Sequence, residues 1–140
     1  MSSIQHENLI KTYTTCTSGH KIDIILPLMN MGSLNFILSY KYPNGIKDTC
    51  IIATVIKCCL EGLICLNRNS LFHRDVKSAN ILLASDGSIK LGDFGVAACI
   101  RSDAKKNSVV GSVNWMAPEV VKREPYDDKV LNMINWITLD

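Results

Sequence analysis

His73-Arg74-Asp75-Val76-Lys77-Ser78-Ala79-Asn80 is the stretch on which the reading turns, with Asp93-Phe94-Gly95 and then Ala117-Pro118-Glu119 downstream of it. Asp75 can accept a hydroxyl proton or orient that oxygen. Asn80 and Asp93 offer oxygen ligands to magnesium, and Lys77 can neutralise charge on a migrating phosphoryl group. These are the groups that transfer of a phosphoryl from ATP to a hydroxyl calls for. A single tripeptide of this kind arises often by chance. Three in this order, with the first acid and the carboxamide in one octapeptide, point to a catalytic loop, a metal-binding loop and the end of an activation segment.

Working outward, 80–84 and 88–91 are short apolar runs joined around Asp86-Gly87, a hairpin turn signal. A paired hairpin brings its two ends together, so Asn80 and Asp93 are expected to share one magnesium. Upstream, Asp48 is placed to cap a helix. Ile52, Val55, Ile56, Cys59, Leu60, Leu63 and Leu66 then recur at spacings of three and four, the stripe of a core face. The runs 9–16 and 22–26 are β-rich and joined by Thr17-Ser18-Gly19-His20, which predicts a second hairpin. A short helix is expected from Met31-Gly32-Ser33-Leu34 to about Ser39 with Ser33 as its cap, then a surface turn at Lys41-Tyr42-Pro43-Asn44-Gly45. The stretch 96–110 is polar and reads as irregular.

The 140 residues amount to one domain or a piece of a larger one, and 47% hydrophobic content is enough for a core. A net charge of +2 favours neither nucleic acid nor an acidic membrane surface. The six cysteines form no C-x-x-C pair and read as reduced thiols, which places the protein in the cytoplasm or nucleus. The N-terminal residues lack a basic and an apolar region, so no secretory signal is expected. The apolar window 51–66 is interrupted by Lys57 and Glu61 and reads as too short to span a bilayer.

HRDVKSANILL, DFGVAA, the W-M-A-P-E-V stretch at 115–120 and His6-Glu7-Asn8 together resemble the eukaryotic protein kinase superfamily. Within it, the chain looks most like the sterile-twenty serine/threonine group, particularly its fray-like, oxidative-stress-responsive branch. The resemblance implies an α/β protein-kinase fold, present in part. Residues 1–130 would form a partial domain, with the end of the N-lobe at 1–29, a hinge at 27–32 and part of the C-lobe at 33–130. Residues 131–140 would be a divergent tail.

The resemblance further implies ATP and magnesium as cofactors, a Ser/Thr-bearing protein as substrate and an upstream activating kinase as partner. Asp75, Lys77, Asn80 and Asp93 would be catalytic, with Asn80 and Asp93 on the metal. Leu26 would be the gatekeeper, Pro27 and Met29 would read adenine by their backbone, and Leu82 would pack beneath the ring. Ser108 would be the activation-loop phosphosite and Arg74 the cation that pairs with it, while Ser112 would brace Asp75 and Lys77. His73, Phe94 and Glu119 are expected to be structural.

The family's glycine-rich loop, its phosphate-binding lysine and the glutamate that holds that lysine are not among these residues. The 140 residues alone are therefore expected to bind ATP weakly and to turn over none. The alternative reading is a kinase remnant that serves as an interaction module.

Overall fold

The computed structural model describes residues 4–93, 98–99 and 121–122. Thr14–Ser18 (β1) and Lys21–Ile25 (β2) pair antiparallel, with Ser18 opposite Lys21 across the two-residue turn Gly19-His20. Gly19 takes φ +58°, in the left-handed region that glycine enters without steric cost. The expected hairpin is present but shifted: residues 9–13 lie outside its ladder, and the pairing runs up to the turn itself. The reason lies at Leu9 and Ile10, which are buried elsewhere.

That elsewhere is the segment around Leu91. Ile10 N–H donates to Leu91 O (2.8 Å) and Leu91 N–H donates to Asn8 O (2.9 Å), while Asn8 Nδ2 donates to Ile89 O (3.0 Å). Residues 8–10 thus lie along the strand that contains Leu91, and Leu9 forms a parallel bridge with it.

Gly32–Ser33 (β3) leads directly into Leu34–Lys41 (α1), whose first turn is capped by Ser33 Oγ accepting from Phe36 N–H at 3.2 Å. Thr49–Arg68 (α2) is the central helix. Asp48 Oδ1 accepts from Cys50 N–H at 2.8 Å and satisfies one of the free donors at the helix start. Its Val55, Cys59, Leu63 and Leu66 face the core beside Leu9, Ile81, Ile89 and Leu91.

Gly62 marks the closest crossing. A Cβ added there would lie 3.0 Å from Asn8 O, 3.1 Å from Leu9 Cδ2 and 3.3 Å from Leu91 Cδ1. Since Asn8 O is already fixed by Leu91 N–H, the helix comes this near only because position 62 has no side chain. At 20 residues α2 is long and apolar enough to cross a bilayer by length and composition, which corrects the expectation of a window too short. Its buried face packs on the chain's own core.

Leu71–Phe72 (β4) follows, then a 3-10 turn at Ser78–Asn80, Ile81–Leu83 (β5) and Ile89–Leu91 (β6). β5 pairs with β6 on one side and β3 on the other, giving a three-stranded sheet in the order β3-β5-β6. The β5–β6 turn has Gly87 at φ +87° and Ala84 N–H bound to Ser88 O (3.0 Å), as the Asp86-Gly87 signal predicts. Ala98–Cys99 (β7) pairs with β4, so the stretch read as irregular contains one short ladder. Its partners are 28 and 26 positions away (Leu71↔Cys99, Phe72↔Ala98), and no local pattern announces such a pairing. Among the described residues the architecture is a mixed α/β one, with small sheets and two α-helices.

Candidate active site

The 3-10 turn and the loop before it gather the polar groups. His73 is fully buried. Its Nε2 donates to Gly92 O (2.9 Å) and its Nδ1 accepts from Asp75 N–H (3.4 Å). One donor and one acceptor are what a neutral imidazole offers, and burial pushes the His73 pKa below the ordinary 6.5. The unfolded chain then takes up a proton near pH 6.5 that the folded one refuses. The stability due to His73 is complete above that pH and is lost as pH falls below it. Denaturation midpoints measured from pH 7.5 down to 5 should fall in the wild type and fall less in His73→Asn.

Asp75 is only 10% exposed and carries three contacts that define the site. Lys77 Nζ lies 2.7 Å from its Oδ2, and Asn80 Nδ2 lies 3.1 Å from the same oxygen. Asn80 Nδ2 also donates to the Asp75 main-chain carbonyl at 2.8 Å. Both amide hydrogens of Asn80 are directed at Asp75, so its Oδ1 is the atom it has to offer a cation. Asn80 itself is buried, at 7% exposure.

Asp93 enters through its neighbour. Gly92 N–H donates to Asn80 O at 2.8 Å, which closes the hairpin and sets Asp93 next to the Asn80 end, exposed. Arg74 (φ +64°) and Asp93 (φ +58°) both adopt the left-handed conformation, each costing about 1–2 kcal/mol for a residue with a Cβ. Two such residues flanking one cluster mean that the surrounding bonds override local preference there.

The other predicted positions lie around the β3–β5 ladder. Leu82 is half-buried and stands opposite Ser33 on one side and Lys90 on the other. A Cβ on Gly92 would come 2.8 Å from Leu82 Cδ1, so the bare glycine leaves Leu82 its place. Met29 is half-buried and its carbonyl accepts from Gly32 N–H (2.9 Å), turning the chain into β3. Leu26 is partly exposed, and Pro27 lines a cleft with Tyr13 and Lys90. Asp75, Lys77 and Asn80 are in direct contact, and Asp93 joins them through Gly92. Leu26, Pro27 and Met29 belong to the segment leading into β3. Ser108, Ser112, Phe94 and Glu119 lie outside the described residues.

Sequence reasoning missed two polar pairs. Ser78 Oγ donates to Asn35 Oδ1 (3.2 Å), and Asn30 exchanges two 2.8 Å hydrogen bonds with Ser85. Each joins residues more than 40 positions apart, so no spacing rule could find them.

A family model described as the protein kinase domain matches residues 1–132. The serine/threonine-protein kinase fray1 of Dictyostelium discoideum is 36% identical over 132 residues, covering 93% of this chain and 23% of that protein. The serine/threonine-protein kinase PAK mbt of Drosophila melanogaster is 37% identical over 131 residues, covering 93% and 20%. Germinal center kinase 3 of Caenorhabditis elegans is 35% identical over 145 aligned residues, covering 92% and 24%. The chain spans about a quarter or less of the length of these relatives.

Proposed function

Because the chain belongs to the protein kinase family, of the serine/threonine, sterile-twenty type, we propose that it supplies the catalytic loop of an enzyme transferring the ATP γ-phosphoryl to protein serine or threonine hydroxyls. The observation that supports this most is the Asp75 carboxylate held between Lys77 Nζ and Asn80 Nδ2. A carboxylate so clamped has little freedom to turn, which suits it to orient an incoming hydroxyl and receive its proton. Lys77, 2.7 Å away, is near enough to balance charge on the transferred group.

Asn80 Oδ1 and the exposed Asp93 carboxylate are hard oxygen donors at adjoining hairpin ends, a donor set that fits magnesium. When bound, the metal neutralises phosphate charge. Asn80 and Asp93 would be the residues that hold it. Leu82 fits a floor for adenine, with Leu26 behind it and the main chain of Pro27 and Met29 at its edge. Arg74 pairing with phosphorylated Ser108, under an upstream kinase, completes the proposal. A cytoplasmic setting agrees with Cys16, Cys50, Cys58, Cys59 and Cys65, which are free thiols. Neither nucleic acid nor membrane belongs to this reading.

The test is transfer of label from γ-labelled ATP to a serine-rich protein by the full-length protein, with and without a magnesium chelator. Label on serine that disappears with chelation is expected. Magnesium-independent labelling, or none at all, rejects the proposal.

A further inference from the structure

The 3-10 turn that presents Asn80 has only three residues, and no side chain caps its start at Lys77. Within the turn, Asn80 N–H bonds Lys77 O at 2.9 Å, and the Asn80 side chain bonds Asp75. Both are local and would move with the loop, whereas Gly92 N–H, donating to Asn80 O at 2.8 Å, holds the end of the turn to the β6 side. Ser78 Oγ reaches further, donating at 3.2 Å to Asn35 Oδ1 across 43 positions. Ser78 is buried at 4% exposure, so its hydroxyl has little water to turn to if Asn35 withdraws.

Asn35 sits on the first turn of α1, a helix fixed from both sides. Ser33 caps it, and Ser33 is also the ladder partner of Leu82. Just ahead, Asn30 and Ser85 exchange two 2.8 Å hydrogen bonds, Nδ2 to Oγ and Ser85 N–H to Oδ1, and Met31 N–H bonds Leu83 O at 3.2 Å. The segment from 30 to 33 is therefore pinned to β5 and to the turn that follows it. Asn35 extends that attachment to the turn from which Asn80 and Asp75 project.

The geometry points to Asn35 as a positioning residue: through Ser78 it fixes the catalytic turn relative to α1 and the β3–β5 ladder. This rests on the kinase reading for its consequence in rate, though not for its consequence in structure. Neither residue touches the reacting groups. Their loss should act on alignment, and misplacement of a catalytic group by an ångström can cost about a hundredfold in rate. Partial freedom of one turn, still held by Asn80, should cost less, about tenfold in kcat.

Asn35→Ala, Ser78→Ala, the double variant and Asn35→Asp are compared in the full-length protein. Aspartate keeps an oxygen acceptor in place and adds a charge favourable in a first helical turn, so it serves as the rescue. Each alanine variant is expected to lower kcat about tenfold with KM for ATP within about twofold, and the double to be no worse than either single. Asn35→Asp should recover most of the loss. Amide hydrogen exchange at Ala79 and Asn80 should speed up in the alanine variants while Cys59, Leu63 and Leu66 of α2 keep their protection.

Additive losses in the double variant, an unrescued Asn35→Asp, or loss of α2 protection in step with rate would each overturn the proposal. If the wild type transfers no phosphate, the kinase reading fails instead, and exchange alone decides the tether. Unchanged exchange at Ala79 and Asn80 then rejects it.

Discussion

Asp75→Asn is expected to lower phosphoryl transfer by about 10²- to 10⁴-fold, the range that a positioned general base contributes. The replacement is nearly isosteric. Its amide oxygen can face Lys77 Nζ and Asn80 Nδ2 as the carboxylate oxygen does, so the clamp survives at 2.7 and 3.1 Å contacts weakened only by the missing charge. What disappears is the capacity to take a proton. Thermal midpoint and KM for ATP should accordingly stay close to wild type while kcat collapses. Lys77→Ala makes the useful contrast. It removes charge neutralisation and also frees the carboxylate on one side, so transfer falls by about a hundredfold or more. An Asp75→Asn protein that keeps more than a tenth of wild-type kcat removes Asp75 from the role assigned to it.

Leu63→Ala and Ile64→Ala, neighbours on α2, should differ in stability by several kcal/mol. Leu63 is 2% exposed and part of the core cluster with Leu9, Leu66 and Leu91. Truncating it loses both burial and contacts that the surroundings cannot replace, about 2–5 kcal/mol, which is a large part of what holds a domain together. Ile64 is 49% exposed, one turn along the helix from Leu60, which is 42% exposed. Its truncation in the 140-residue chain should cost less than about 0.5 kcal/mol. The exposed apolar row also predicts aggregation of the 140-residue chain, relieved by Ile64→Lys. Urea midpoints of the two alanine variants and light scattering of the lysine variant check these outcomes. A costly Ile64→Ala would mean that this face is covered in solution.

The parts of the fold set by nearest neighbours could be read from the residues. Asp48 and Ser33 cap where a side-chain oxygen followed by an apolar run says they should, and the three-four spacing gives Val55, Cys59, Leu63 and Leu66 of the buried face of α2, while Leu60, expected on that face, is 42% exposed. Asp86-Gly87 turns β5 into β6 because Gly87 accepts φ +87°. In the site, Asp75, Lys77 and Asn80 lie within one octapeptide, so their meeting is a property of a short loop.

What could not be read is what tertiary contacts decide. Leu9 and Ile10 look like strand residues and leave the hairpin to pair with the segment around Leu91. Ala98–Cys99 find β4 by position alone. Asn35 and Ser78 have no signature in either neighbourhood, since a hydrogen bond between two elements depends on how those elements pack.

The stitching of residues 8–10 onto 89–91 sets an order on biosynthesis. Leu91 is made 82 residues after Leu9, so roughly 4 to 16 s pass at ribosomal speeds before the two can meet. Through that interval β1–β2 can close on its own, and α2 can form as it emerges, because each needs only nearby residues. Leu9 and Ile10, buried at 4% and 6% once folding is complete, have no partner until the β5–β6 hairpin leaves the exit tunnel. Joining ends so far apart also carries the largest loop-closure entropy of the pairings described, so it follows the local elements. The nascent chain therefore shows the apolar segment around Leu9 and Ile10 to its surroundings throughout that interval, and that segment is where a chaperone would find it.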